Sequence, residues 1–225
     1  VRQHLIIYAK RPLPGYAKTR LGAGIGAEQA AGVYARLLYT YLTGVICEQL
    51  PDTVLELAAA SGEDCAYFEQ AFPELLVRPQ IKGNLGERMD HSFQQAFREG
   101  AKAVVLTGSD IPELTVAIVR QAFELLRFPD DSDRLPGVIG PATDGGYYLI
   151  GMRAPGAVLF DNVTWSTETV LAQTLAKADQ ALVHLAHLPE LSDIDVQDDY
   201  EAWLRALRAS CPDTVGASTY TLDLK

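Results

Sequence analysis

Through residue 127 the chain alternates short apolar runs with longer segments in which apolar residues recur every three or four positions. Short apolar runs bounded by turn residues fit buried strands, and the longer period fits helices with one apolar face. Residues 4–9, 53–60, 75–78 and 103–107 read as strands. Residues 27–50, 64–72 and 85–100 read as helices, and Pro112 opens another that runs to about residue 127. In the first helix Ala30, Tyr34, Leu38, Leu42 and Val45 hold the spacing, and Pro51 ends it. Strands joined through helices lie parallel, in a sheet covered on both faces. The pattern predicts one α/β domain with a central, mostly parallel mixed sheet and helices on both faces.

The second half breaks the alternation. "FPDDSDRLPG" (128–137) reads as a polar loop and "VIGPATDGGYYLIGM" (138–152) as two strands about a glycine turn, which implies an antiparallel excursion. A helix near 167–178, a strand near 182–187 and a helix near 196–208 complete the expectation. No repeat or low-complexity linker divides the chain. The expected boundaries are one domain at 1–210 and a C-terminal tail at 211–225.

Charge and cysteine content exclude several classes. Asp and Glu outnumber Lys and Arg by 29 to 19, which argues against a nucleic-acid polymer as partner. Cys47, Cys65 and Cys211 lie far apart, without zinc-site spacing, and read as small buried apolar residues of a reducing compartment. The four histidines form no motif; His184 and His187 point to opposite faces of a strand and are expected at the surface. No run reaches the ~18 apolar residues of a membrane span, and no signal-peptide pattern opens the chain. A cytoplasmic protein acting on a small anion, away from membranes, is the expectation.

Against that acidic background "YAKRPLPGYAKTRLG" (8–22) gathers Lys10, Arg11, Lys18 and Arg20 directly after the first strand. In an open α/β sheet ligands bind beyond the carboxyl ends of the strands. Lysine and arginine there supply charge and donors to phosphate oxygens. Pro12, Pro14 and Gly15 shape the turn. The segment lacks the glycines of a P-loop, and "GAGIGA" (22–27) has the wrong spacing for a dinucleotide loop.

Four further segments carry candidate chemistry. "LTGSDIPEL" (106–114) places Asp110 at the same sheet edge, either as a divalent-cation ligand or as a helix cap. "LSDIDVQDDY" (191–200) holds Asp193, Asp195, Asp198 and Asp199; capping by Asp195 and Asp198 accounts for those two but not for Asp193. In "GPATDGGYYLIGM" (140–152) Asp144, Gly145 and Gly146 form a turn with room for a ligand, and Asp144 could accept from a substrate hydroxyl. In "KGNLGERM" (82–89) Gly83 and Gly86 flank the start of a helix whose first amides could face a nucleotide, and Arg88 adds a donor. Trp165, in "NVTWST" (162–167), is a core residue by default.

Taken in order, "KRPLPGYAKTRL", "GNLGERM", "GSDIPEL", "GPATDGGYYLIGM", "WST" and "SDIDVQDDY" resemble a bacterial glycosyltransferase-like family related to phospholactate guanylyltransferase, of the GT-A or nucleotide-diphospho-sugar transferase superfamily. The resemblance runs from residue 5 to about 205. It implies phosphate contacts from Arg11, Lys18 and Arg20, with Lys10, Gly15, Gly86 and Arg88 as neighbours in the nucleotide site. It implies Mg²⁺ or Mn²⁺ on Asp110, and a second ligand from Asp193 or Asp195, because "SDI" keeps one carboxylate of the usual D-x-D. Asp144, Gly145, Gly146 and Trp165 would adjoin the sugar or acceptor. Asp110, Asp144 and Lys18 are the candidate catalytic residues.

The activity so implied is metal-dependent transfer from a nucleotide-activated donor to a small-molecule acceptor, with glycosyl transfer from a nucleotide-sugar ahead. Nucleotidyl transfer with release of pyrophosphate is the alternative, since a cation-rich first loop also suits a triphosphate. A nucleotide-binding module without catalysis is the third.

Overall fold

In the computed structural model residues 2–128 and 133–210 are described. Seven strands form one sheet: β1 (Gln3–Ala9), β2 (Thr53–Ala59), β3 (Leu76–Pro79), β4 (Ala103–Thr107), β5 (Leu135–Pro141), β6 (Tyr147–Met152) and β7 (Val183–His187). Their order is β3-β2-β1-β4-β6-β5-β7. Only β6 runs against the others, pairing antiparallel with β4 and β5. Six strands therefore deliver their carboxyl ends, and β6 its amino end, to one edge of the sheet. The helices are α1 (Thr19–Ile25), α2 (Ala27–Cys47), α3 (Gly62–Ala71), α4 (Leu85–Arg98), α5 (Val116–Arg127), α6 (Val170–Gln180) and α7 (Gln197–Ser210).

The sequence pattern follows from this layering. The central strand β4 is buried at every position and β6 at all but its first, so both read as unbroken apolar runs. The edge strand β3 has no fully buried residue. Alternate residues of β1 serve different cores: Leu5 and Ile7 pack with Leu38, Phe68 and Phe123, whereas Ile6 packs with Met89, Phe93 and Ile150. A third, small cluster of Leu21, Ala30, Leu37 and Ile194 joins α1, α2 and the approach to α7, with Tyr200 and Trp203 against it. By length and composition α2 could cross a membrane, but half of its apolar stretch is buried within this fold.

Several expectations are corrected. The helix expected from Pro112 begins at Val116, because the chain first turns to bury Ile111 and Leu114. The polar loop over 128–137 gives way to β5 at Leu135, where pairing with Val183 of β7 supplies the backbone partner. The helix expected near Thr167 begins at Val170, since the Thr167 hydroxyl turns back onto the Thr164 carbonyl at 2.7 Å. Residues 19–25, which belong to none of the expected helices, form α1. Cys65 is buried as expected, but Cys47 is exposed at the end of α2; Cys211 and the expected tail at 211–225 lie outside the described residues.

Candidate functional site

The loop leaving β1 is held by hydrogen bonds from other elements. The Lys10 backbone N–H donates to the Tyr34 hydroxyl of α2 at 3.0 Å. The Arg11 N–H and the Tyr16 hydroxyl both donate to Asp64 Oδ2 of α3, each at 3.1 Å. Asp64 is 3% exposed, so this buried carboxylate is stabilised by the loop it fixes. Ala17 is buried beneath the loop, and Lys18 takes a left-handed conformation, φ 51°, to start α1.

The end of β4 is tied to the same point. Ser109 donates its hydroxyl proton to the Tyr8 carbonyl at 2.9 Å. Having one proton, it must accept from Tyr34, 3.1 Å away. Tyr34 thus bridges the loop after β1 and the loop after β4, and burial pushes its pKa up to about 12, which keeps it a donor. Next in the chain Asp110 pairs with Lys18, Oδ2 to Nζ, at 2.7 Å. The Lys18 side chain is 6% exposed and that of Asp110 37%, so the carboxylate is the open half of the pair. Asp110 does not cap α5, whose N-cap position is Thr115.

The segment after β7 supplies the opposite wall. A bridge between Ala142 and Leu191 lays it beside the turn from β5 to β6. Arg20 Nη1 meets Asp195 Oδ2 at 2.5 Å. Asp199, not Asp195, tethers the start of α7: its Oδ2 accepts from the N–H groups of Asp195 and Val196 at 2.9 Å each. Asp193 lies in reach of Lys18, Asp110, Asp144 and Asp195. Burial first, then the other carboxylates against the opposing pull of Lys18, lift its pKa from 3.8 to about 6.

These elements enclose a cleft of about 380 Å³. Of the residues singled out in the sequence, Lys10, Lys18, Arg20, Arg88, Asp110 and Asp195 line it. Arg11 does not; its guanidinium lies 4.8 Å over the Tyr67 ring. Gly15, at φ 74°, shapes the turn outside the cleft. Asp144 accepts from the Gly146 N–H at 2.8 Å and so closes the β5–β6 turn. Gly145 sits there at φ 85° with its α-carbon against the Glu168 backbone, which excludes a side chain. Gly86 and Trp165 pack on each other, a β-carbon at Gly86 falling 2.8 Å from the indole, and Tyr147 meets Trp165 edge-on at 6.4 Å. At the start of α4 the Asn84–Glu87 capping box takes up the Asn84 and Glu87 N–H groups. Tyr8, Tyr34, Gln80 and Ser109 also line the cleft; tyrosines in helical or strand patterns read as core, and no local signal marks them.

Asp110, Asp193 and Asp195 are hard oxygen donors of the kind that suits Mg²⁺ or Mn²⁺. Among the described residues no three acidic, His or Cys side chains are grouped closely enough to hold an ion alone. The set fits an ion that takes one or two carboxylates and completes its shell with phosphate oxygens and water.

Residues 45–167 match the family described as "Uncharacterized protein conserved in bacteria (DUF2064)". No curated protein matches the sequence. Among solved structures, a "putative nucleotide-diphospho-sugar transferase" from Desulfovibrio desulfuricans is 32% identical, with a TM-score of 0.82 over 95% of this chain and 89% of that one. A cytidylyltransferase from Leptospira borgpetersenii shares the fold at 13% identity, TM-score 0.54, over 99% of this chain and 100% of that one. Glucosyl-3-phosphoglycerate synthase from Mycobacterium tuberculosis, in complex with Mn²⁺, UDP and glucosyl-3-phosphoglycerate, shares it at 9% identity, TM-score 0.50, over 93% and 80%.

Proposed function

The chain belongs to the DUF2064 family, and from its cleft we propose that it is a transferase using a nucleotide-activated donor, with glycosyl transfer from a nucleotide-diphospho-sugar to a small acceptor as its reaction. One observation carries the reading: strands β1, β4 and β7 bring Lys18, Asp110 and Asp195 to one cleft, with Arg20 between them. Lys10, Lys18 and Arg20 hold the diphosphate oxygens. Lys18 would exchange Asp110 for phosphate, and Asp110, with Asp193 or Asp195 as the second protein ligand, would hold a divalent cation. A cation bound there supplies charge neutralisation for the departing nucleoside diphosphate. The acceptor oxygen forms the new bond to the sugar as the bond to the diphosphate breaks. Asp144, beside Asp193, is the candidate to take the acceptor's proton.

Nucleotidyl transfer is the second reading, favoured by three cations lining the cleft from the one segment that follows β1. Incubation with nucleoside triphosphates and, separately, with nucleotide-sugars plus Mn²⁺ and candidate acceptors tests both. Release of nucleoside diphosphate from a nucleotide-sugar supports the first reading, and pyrophosphate from a triphosphate the second. Absence of both products, with no nucleotide-induced thermal shift, would remove the transferase reading.

A further inference from the structure

The cleft has a second pole that phosphate binding leaves unused. Gln80 follows β3, and Arg88 lies on α4. Arg88 Nη1 donates to Gln80 Oε1 at 2.8 Å, and Gln80 Nε2 donates to the Ala58 carbonyl at 2.8 Å. Chemistry alone fixes this amide's orientation, because an arginine only donates and a carbonyl only accepts. Arg88 Nε reaches the Asn84 carbonyl at 3.3 Å. Both Nη2 protons, one on Nη1 and one on Gln80 Nε2 then have no hydrogen-bond partner among the described residues. The free capacity here is almost wholly donor.

The surroundings suit a flat ring. Tyr8, Leu85 and Met89 line the cleft beside the pair, and the Tyr8 hydroxyl is taken by Ser92 at 2.9 Å, which leaves its ring face. The order β3-β2-β1-β4 sets Gln80 three strand spacings from Asp110, roughly 14 Å at about 4.8 Å each. That separation exceeds a diphosphate and is of the order of a whole nucleotide.

Resting on the reading that the cleft takes a nucleotide, we propose that Gln80 and Arg88 read its base and select guanine or uracil over adenine or cytosine. Guanine offers two adjacent acceptors, N7 and O6, to an arginine fork. Uracil has a carbonyl where cytosine has an amino group. Adenine and cytosine would bring N–H groups against N–H groups and leave donors without partners. Arg88 would then serve recognition of the base, not the phosphates.

Calorimetry on the whole chain with Mn²⁺ and, in turn, GDP, ADP, UDP, CDP and inorganic pyrophosphate tests this. GDP is expected to bind about tenfold or more tighter than ADP, and UDP tighter than CDP. Arg88→Lys keeps the charge and removes the fork; it should erase the preference and leave pyrophosphate affinity unchanged. Gln80→Met should reduce the preference in the same direction, and either variant suffices if the other fails to fold. Equal binding of the four nucleotides, or an Arg88→Lys protein that loses pyrophosphate as strongly as GDP, would overturn the inference. If pyrophosphate binds without base preference, the inference alone fails. If none of the five binds, the nucleotide reading falls with it.

Discussion

Two charged clusters occupy opposite ends of the sheet. On the face covered by α4, His4 Nε2 meets Glu56 Oε2 at 3.0 Å, Arg78 meets the same oxygen at 3.3 Å, and Arg78 reaches Glu99 at 2.9 Å. His4 and Glu56 are 2% and 4% exposed. Burial works against the Glu99 carboxylate, but the Arg78 hydrogen bonds outweigh it and hold its pKa below the usual range. Each of these groups has a partner within the cluster; His4 and Glu56 are shut away from water, and Glu99 closes the cluster at the surface. At the carboxyl edge, four carboxylates, Asp110, Asp144, Asp193 and Asp195, face two cations, Lys18 and Arg20. The first cluster is paired within itself about a buried centre, which suits a structural role. The second is open, and around Asp193 carboxylates outnumber cations, which suits a site completed by a cation and a ligand. Similar residue types are divided by satisfaction and access.

The largest effect should come from the closed cluster. Glu56→Ala leaves Arg78 with one partner and His4 with none, and should cost about 3 kcal/mol in urea unfolding with nucleotide affinity of the folded protein unchanged. A loss under ~1 kcal/mol would break the contrast, since that is the scale of an exposed pair. Asp110→Asn should do the reverse. Because the amide oxygen still accepts from Lys18, stability should move by only ~1 kcal/mol, while turnover falls roughly a hundredfold, the scale of losing one electrostatic stabiliser of a transition state. Unchanged turnover would remove Asp110 from the chemistry. Tyr34→Phe lies between the two, because the hydroxyl ties both strand ends together. It should cost ~1 kcal/mol of stability and weaken nucleotide binding, measured by calorimetry; full retention of binding would show that the bridge is packing only.

The smallest effect is a pH dependence. Folding raises the Asp193 carboxyl from 3.8 to about 6, so the folded chain holds that proton more tightly than the unfolded one. Its contribution to stability is full below pH 3.8 and is lost as pH rises through about 6. Asp193→Asn should therefore melt slightly higher than the parent at pH 8 and by a smaller margin at pH 5, in thermal scans without ligand. A constant difference at both values would place the origin of the effect elsewhere.

Much of the fold was legible because buried parallel strands require continuous apolar runs, and helices on a sheet require a 3.6-residue stripe. Helix α1 was not, since Gly22 and Gly24 weaken its propensity and only Leu21 of its residues is fully buried. The cations of the first loop were visible as charge, but Arg11 and Lys18 look alike in sequence. The fold separates them, stacking one on Tyr67 and pairing the other with Asp110. Asp64 reads as an ordinary acid in the first turn of a helix, and only its contacts reveal that it anchors the loop.

From the sequence alone came the α/β layering, the sheet edge where charge collects and the kind of ligand that charge suits. These depend on near neighbours in the chain, through period, turn residues and local charge. Tertiary structure alone decided which groups meet. Ser109 binds Tyr8 across 101 residues and Arg20 binds Asp195 across 175. Such contacts are set by strand order and register, which bring distant loops to one edge and which no local pattern encodes.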